Sequence, residues 1–320
     1  MPRYIRNTVI LAKIETAYGV DSTPTGAANA MLVSNVSINP LNASNISRDL
    51  IRGYLGGSEQ IPGVAYIETS FDVEFQNGGT AGTAAAWGQL LRACGFAEVL
   101  LTTPSRVEYT PISASFESAT IYYHDDGVLH KLLGCRGDVT IKASVGERPV
   151  FSFKFLGLDG GISATANATP TLTGFKTPLI VTDGNTGDIT LGCTYSAGAL
   201  SGGTVYASRG IEIAMGNKVA HTPLLGGETI DLTDRDATGK VELDLTAANE
   251  VSFMATVKAA TTQGLGIVHG TTAGYKMLMH APAAQLINPK KSDVNGRRLI
   301  GYDVRLTPSS GNDELRIVAL

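Results

Sequence analysis

The side chains of this chain that could do chemistry are few, and their spacing does not suit it. Five histidines, at 124, 130, 221, 269 and 280, could relay protons near neutral pH or hold a metal ion, but none stands at ligand spacing from another. Three cysteines, Cys94, Cys135 and Cys193, could serve as nucleophiles or ligands. They are odd in number and form no Cys-x-x-Cys pair, so they read as reduced, buried thiols of a chain made in a cytoplasm. Asp125/Asp126 and Asp234/Asp236 could act as acid–base pairs, yet both lie in turn-like contexts where Asp bonds its own backbone. There is no Gly-x-Ser-x-Gly elbow, no phosphate loop ending Gly-Lys-Ser/Thr and no His-Glu-x-x-His. These residues predict no catalytic, cofactor or metal site.

Two polar features remain. Lys290, Lys291, Arg297 and Arg298 form one basic cluster around a turn, where a solvated or subunit-bridging role is expected. Asn35, Asn42, Asn45 and Asn167 begin glycosylation-type triplets, which carry weight only in a secreted chain. Met1–Ile14 has Arg3, Arg6 and Lys13 around a short apolar run and no small-x-small cleavage site, so no secretory signal is read. No apolar stretch approaches the roughly 20 residues that a membrane-spanning helix needs. The net charge of −4 gives no basic footprint and argues against sequence-specific nucleic-acid binding.

Positioning falls to strands. At 320 residues, 43% hydrophobic and 17% charged, the chain has the length for two ordinary domains and the composition of a folded one. The 37 glycines favour turns and strands over helices. Phe71, Val73 and Phe75 alternate with Asp72 and Glu74, and Phe151, Phe153 and Phe155 alternate with Ser152 and Lys154. Each run has one packed face and one that is wet or touches a partner. Asp126-Gly127 and Asn295-Gly296 predict tight hairpin turns. Trp87, Leu90, Leu91 and Cys94 form an apolar stripe, predicting a helix over Ala84–Phe96 with Thr83 as N-cap and Gly95 as its stop. A second helix is expected over Asn249–Ala260, capped by Asn249 or Thr246.

The elements come twice in the same order. Ile67–Phe75, the first helix, Leu129–Leu133 and Val150–Phe155 match Val241–Leu245, the second helix, Tyr275–Met279 and Tyr302–Leu306. Before them, Val36-Ser37-Ile38 with a later Arg48-Asp49 matches Ile211-Glu212-Ile213 with a later Arg235-Asp236. The period of about 150 residues is that of a duplicated domain, too long for a solenoid repeat. The expected organisation is an N-terminal arm (residues 1–33) within a first domain over 1–158, a Gly/Ala/Thr/Pro linker over 159–175 and a second domain over 176–320. The arm, one short strand and extended chain, is expected to lie on a neighbour.

Several segments together resemble the major tail tube proteins of long-tailed double-stranded DNA bacteriophages, in their tandem-domain form. They are Glu15-Thr16-Ala17-Tyr18-Gly19 with Pro24-Thr25-Gly26-Ala27, Ser47-Arg48-Asp49-Leu50-Ile51-Arg52-Gly53-Tyr54-Leu55-Gly56, Trp87–Phe96, Asp126–Gly134, Val268–Gly274 and Pro308–Leu315. The resemblance covers nearly the whole chain and is weakest over Gly160–Gly203. It implies a mainly β chain of two tandem β-sandwich or barrel-like tail-tube domains, each flanked by one α-helix.

It also implies self-assembly into stacked rings whose inner strands join into one barrel. Six units usually surround such a ring, so two-unit chains would close it as a trimer with pseudo-sixfold symmetry, the alternative being a hexamer of chains. The other implied partners are a tape measure protein, a tail terminator, distal tail proteins and double-stranded DNA passing through the lumen without specific binding. No membrane is implied; the place is the virion tail, assembled in the host bacterial cytoplasm. On this reading Asp72, Glu74, Glu242 and Asp244 are candidate lumen-facing residues, an acidic balance that repels phosphates. Arg48, Asp49, Arg52, Arg235, Asp236, Lys290, Lys291, Arg297 and Arg298 are candidate inter-subunit residues, and the long loop Leu41–Ile61 would reach adjacent subunits or rings. The same fold would serve a tube-like subunit of a contractile injection or secretion system, which a neighbouring sheath gene would favour, or a tail terminator. An adhesive, carbohydrate-binding sandwich would group exposed aromatics on one face, and only 7% of residues are aromatic.

Overall fold

Alternating apolar and polar residues make strands wherever one face can be buried, and strands dominate the computed structural model, which describes residues 2–320. The first half opens with β1 (Thr8–Ile14), the single-turn α1 (Gly26–Asn29) and β2 (Ala30–Met31). Two long strands follow, β3 (Val33–Ser47) and β4 (Gln60–Glu74), then the helix α2 (Gly88–Ala93). The hairpin of β5 (Phe96–Thr102) and β6 (Ser105–Pro111) leads to β7 (Ala119–Asp125), β8 (Val128–Ser144) and β9 (Val150–Ala164). The second half begins with four short strands, β10 (Ile189–Leu191), β11 (Thr194–Ser196), β12 (Ala199–Ser201) and β13 (Thr204–Tyr206). Next come β14 (Ser208–Ala214), the hairpin of β15 (Asn217–Leu224) and β16 (Gly227–Arg235), and β17 (Thr238–Leu243). The helix α3 (Ala247–Lys258) precedes β18 (Thr262–His269), β19 (Met277–Val294), β20 (Arg297–Thr307) and β21 (Arg316–Ala319).

The pairing order repeats between the halves, always antiparallel. In the first half β3 pairs with β4, β4 with β9 and β9 with β8, while the start of β8 also pairs with β7, and β7 with β1. In the second half β14 pairs with β17, β17 with β20 and β20 with β19, while the start of β19 also pairs with β18, and β18 with β10. Even the irregularity is shared. Register slips between Ser34 and Ser37 in β3, with Asn35 at φ 52°, and between Ser208 and Ile211 in β14, with Gly210 at φ 114°. The two four-stranded strips join where β8 meets β14, with Ile141 opposite Ile213, Lys142 opposite Glu212 and Ala143 opposite Ile211. Eight strands thus run side by side as β3-β4-β9-β8-β14-β17-β20-β19. A second ladder ties the C-terminal β21 to β6, with Ile317 opposite Tyr109.

One apolar cluster extends through both halves. The first half packs it with aromatic rings: Phe71 stacks on Phe155 at 5.8 Å, and Trp87 meets Phe151 at 4.8 Å. The buried Trp87 Nε1–H donates to the Gln76 carbonyl at 2.7 Å, so its one polar atom is satisfied. The second half packs Tyr302, Phe253 and Tyr206 among Ile, Leu, Val and Met side chains.

Both predicted turns form, with φ of 44° and 94° at Asp126-Gly127 and of 51° and 83° at Asn295-Gly296. The second helix is capped by Thr246, whose Oγ1 accepts from the Asn249 N–H at 3.2 Å. The first helix is shorter than predicted. Residues 84–87 are turn and loop, so Thr83 caps nothing, while Gly95, at φ 79°, does stand just past its end.

The arm lies on its own chain: β1 pairs with β7 over its whole length and buries Ile10, Leu11 and Ala12. Strand β9 also runs on to Ala164, six residues into the expected linker, and the next stretch is pinned to the arm by Thr171 N–H donating to the Gly26 carbonyl at 2.9 Å. The expected match of Arg48-Asp49 with Arg235-Asp236 fails. The first pair sits near the far end of the β3–β4 hairpin, and the second at the base of the β15–β16 hairpin.

Candidate functional site: two open edges and a polar face

The outermost strands of the eight-stranded strip each keep one unpaired edge among the described residues. Strand β3 pairs with β4 alone, and from Leu286 to Val294 β19 pairs with β20 alone. An open edge presents a row of unpaired N–H and C=O groups to any strand that approaches it. The strip's own midpoint shows how these two edge types fit. Strands β8 and β19 are counterparts in the repeated order, as are β14 and β3, so β8–β14 is already an edge of the β19 kind closed by an edge of the β3 kind. The fit is tight: a Cβ on Gly210 would stand 2.0 Å from the Ala143 carbonyl oxygen.

One face of the strip packs on the core, and the other is polar and half-exposed. Alternation places Asp72, Glu74, Glu242 and Asp244 on that polar face, each with a partner in the chain. Asp72 accepts from Asn35 Nδ2 at 2.7 Å, and Glu74 pairs with Arg148 at 3.0 Å. Glu242 takes Arg209 at 3.4 Å and the Ser292 hydroxyl, passing over the side-chain-free Gly301 of the intervening strand. Asp244 pairs with Arg297, and nearby Glu68 with Lys154 at 2.8 Å. Of these carboxylates Glu74, Glu242, Asp244 and Glu68 are answered by cations and Asp72 by an amide, so most of the negative charge on the face is paired.

The cationic candidates separate into two sets. Arg235 is committed inside the chain: Nη1–H donates to the Ile112 carbonyl at 2.8 Å and its guanidinium pairs with the buried Glu314, which ties the halves together. Lys291 pairs with Glu250 of α3 at 2.8 Å. Arg48 and Arg52 share Glu59 across their own hairpin, where Asp49 accepts from the Ser47 hydroxyl. Asp236 and Arg305 form an exposed pair at 2.6 Å, while Lys290 and Arg298 are exposed close to the free β19 edge.

Two buried polar clusters gave no signal in the sequence. Glu15 accepts from the Ser118 hydroxyl at 2.6 Å, the Thr120 hydroxyl at 2.9 Å and the Gly134 N–H at 2.8 Å, which locks the arm in place. Glu108 sits at the β6–β21 ladder with Arg106 at 2.6 Å, the Tyr195 hydroxyl at 2.6 Å and Arg316. Burial pushes the Glu108 carboxyl up, and the bonds from Tyr195 and Arg106 with the charge of Arg316 more than offset it, leaving it below the usual range. Apart from Arg106, two residues from Glu108, each partner lies far off in sequence. Among the described residues no three His, Cys, Asp or Glu side chains converge as metal ligands, and no helix is long and apolar enough to cross a membrane.

A family model for the phage tail tube protein matches residues 5–305. The chain belongs to the phage tail tube protein family. That family is one of structural proteins of the virion tail, not of enzymes, as the resemblance in its residues implied. No curated protein matches the chain.

Proposed function

We propose that this tail tube protein closes into rings by pairing β19 of one copy with β3 of the next. The rings then stack into a hollow tube that conducts the phage genome into the host. The in-chain β8–β14 ladder carries this reading, because the two edges left open are the counterparts of the two it joins. In the same register Lys291 would face Ile38, Ser292 would face Ser37 and Asp293 would face Val36 of the neighbour. The chain then acts as two tube units, residues 1–158 with the arm and 176–320, with 159–175 between them. Three chains would close a pseudo-sixfold ring. Closure removes both open edges of the eight-stranded strip, a strong incentive for identical sheets to associate.

The polar face carrying Asp72, Glu74, Glu242 and Asp244 then lines the lumen. Its paired charges offer DNA neither a continuous basic track to hold phosphates nor a strongly acidic wall, which suits passage without specific binding. Lys290 and Arg298 would flank the ring joint. Tape measure, terminator and distal tail proteins would meet the tube's bore and ends, and assembly would take place in the host cytoplasm, where buried thiols such as Cys94, Cys135 and Cys193 stay reduced. Negative-stain electron microscopy and light scattering of the purified chain test the proposal. Rings or tubes of uniform bore are expected, and a protein that stays monomeric at every concentration would refute it.

A further inference from the structure

Between its edge strand and the next, each half sends out a hairpin, and the two hairpins fare differently. The β15–β16 hairpin of the second half lies across the polar face of the first. Its Ile230 is fully buried there, with the N–H donating to the Tyr18 hydroxyl and the carbonyl accepting from Arg136 Nη1 at 2.8 Å. Arg136 lies over the Tyr18 ring at 4.9 Å and pairs with Asp231 at 3.6 Å. At the hairpin's base, Asn217 Nδ2 donates to the Cys94 and Gly137 carbonyls at 2.8 and 3.1 Å, and further out the His221 ring meets the Tyr66 ring, tilted, at 5.0 Å. The seat is specific and built from several elements.

The outer part of the β3–β4 hairpin has no second half of its own chain beneath it. Ile46 follows Val36 by as many residues as His221 follows Ile211, and Ile46 stands opposite Ile61 as His221 stands opposite Ile230. Yet Ile61 is 51% exposed, Ile46 58% and Val64 54%. The counterpart of a fully buried isoleucine lies bare, and bare apolar side chains grouped on one hairpin mark a surface meant to be covered.

We propose that this hairpin lies across the polar face of the second half of a neighbouring copy, in the manner of β15–β16 on the first half within the chain. The receiving residues follow from the repeated register. Counting from the shared bulge, Phe153 corresponds to Tyr302 and Phe155 to Val304, so Leu156 corresponds to Arg305 and Tyr66 to Asp236. Arg136, opposite Leu156, corresponds to Gln285, opposite Arg305. Ile61 therefore settles near Gln285 of the next copy, and Ile46 near the exposed Asp236–Arg305 pair. The inference rests on the ring reading, since pairing β19 with β3 is what brings the two surfaces together.

A double variant, Ile61→Cys with Gln285→Cys, tests it, because the three native cysteines are buried and silent. Oxidation of the assembled protein is expected to give covalent oligomers on a non-reducing gel, with neither single variant doing so. Rings that form but give no crosslink would overturn the docking and leave the ring standing. A crosslink confined to monomers would also overturn it, since it would place the contact within one chain. Failure to assemble at all would overturn both. Ile61→Asp is expected to raise the concentration needed for assembly at least about tenfold while the urea midpoint of the monomer stays unchanged. A fall in that midpoint with unchanged assembly would instead make Ile61 part of the monomer's own packing.

Discussion

The first and second halves share an order of strands and little else. The first is packed with stacked phenylalanines and a tryptophan under a six-residue helix, of which Gly88, Leu90, Leu91 and Ala93 are buried. The second is packed with aliphatic side chains and Tyr302 under a 12-residue helix that buries only Phe253. Retained in both are the alternation, the bulge near the start of the edge strand and the pairing order. Those are the features that shape edges. The difference teaches that a core of suitable volume and polarity can be refilled freely, whereas an edge that has to meet another edge is held to one geometry.

The sharpest way to break that comparison is to hollow out each core. Trp87→Ala removes a buried side chain wedged between Phe151 and Tyr109 and leaves the Gln76 carbonyl without its donor, and a loss of about 3–5 kcal/mol is expected. Phe253→Ala, on a helix otherwise half-exposed, is expected near the lower end, about 3 kcal/mol. Urea denaturation of the monomer measures both. Should Phe253 prove the costlier deletion, the first half would not be the better-packed one.

The next prediction concerns the joint. Gly210→Ala puts a methyl group against the Ala143 carbonyl at a φ that L-residues rarely adopt, and about 1–3 kcal/mol of destabilisation is expected. At the matching bulge of β3, Asn35→Gly is expected to change monomer stability by no more than about 0.5 kcal/mol. The β3 edge is still open, so nothing yet presses on that bulge. Equal effects at the two positions would remove the claim that the in-chain ladder is a closed version of the open edges.

Elements with their own local chemistry were legible in the sequence. Phe71, Val73 and Phe75 announce a strand through the character of their neighbours, and Asp126-Gly127 and Asn295-Gly296 announce turns through a backbone angle that few residues tolerate. The β8–β14 and β6–β21 ladders were not legible, because backbone pairing between distant strands leaves no mark on residue type. The cluster on Glu15 was hidden for the same reason: its ligands come from Ser118, Thr120 and Gly134, each unremarkable where it stands. The match of Arg48-Asp49 with Arg235-Asp236 failed because two-residue identity is weak support across hairpins of unequal length. Alternation in the sequence set the candidate lumen residues on the polar face, and it missed the cations that answer three of them, because Arg148, Arg209 and Arg297 stand elsewhere in the chain.

Acidification sharpens the comparison at the level of single side chains. Burial pushes His124 in the first half and His269 and His280 in the second below the usual histidine range. The folded state therefore holds them neutral at a pH where the unfolded chain would already take up a proton. Stability is full above the unfolded value and falls as pH drops through it, by up to about 1.4 kcal/mol per pH unit for each histidine. His269→Gln is expected to flatten the fall in thermal midpoint between pH 7 and pH 5.5, and an unchanged slope would exclude His269 as a contributor.

The smallest effect expected is on the polar face. Lys154–Glu68 in the first half and Arg209–Glu242 in the second are both partly solvated pairs. Water screens them and their long side chains must be held still, so Lys154→Met and Arg209→Met are each expected to change monomer stability by less than about 1 kcal/mol. Their effect should appear elsewhere. If this face lines a bore, removing the cations leaves Glu68 and Glu242 unanswered, and assembled tubes should become more sensitive to low salt, where carboxylates gathered around a narrow channel repel one another most. Light scattering at about 10 mM and 150 mM salt separates the cases. A loss of assembly confined to low salt would support a shared, inward-facing polar surface, and equal assembly at both would place these residues on an outer wall where their charges are already dispersed.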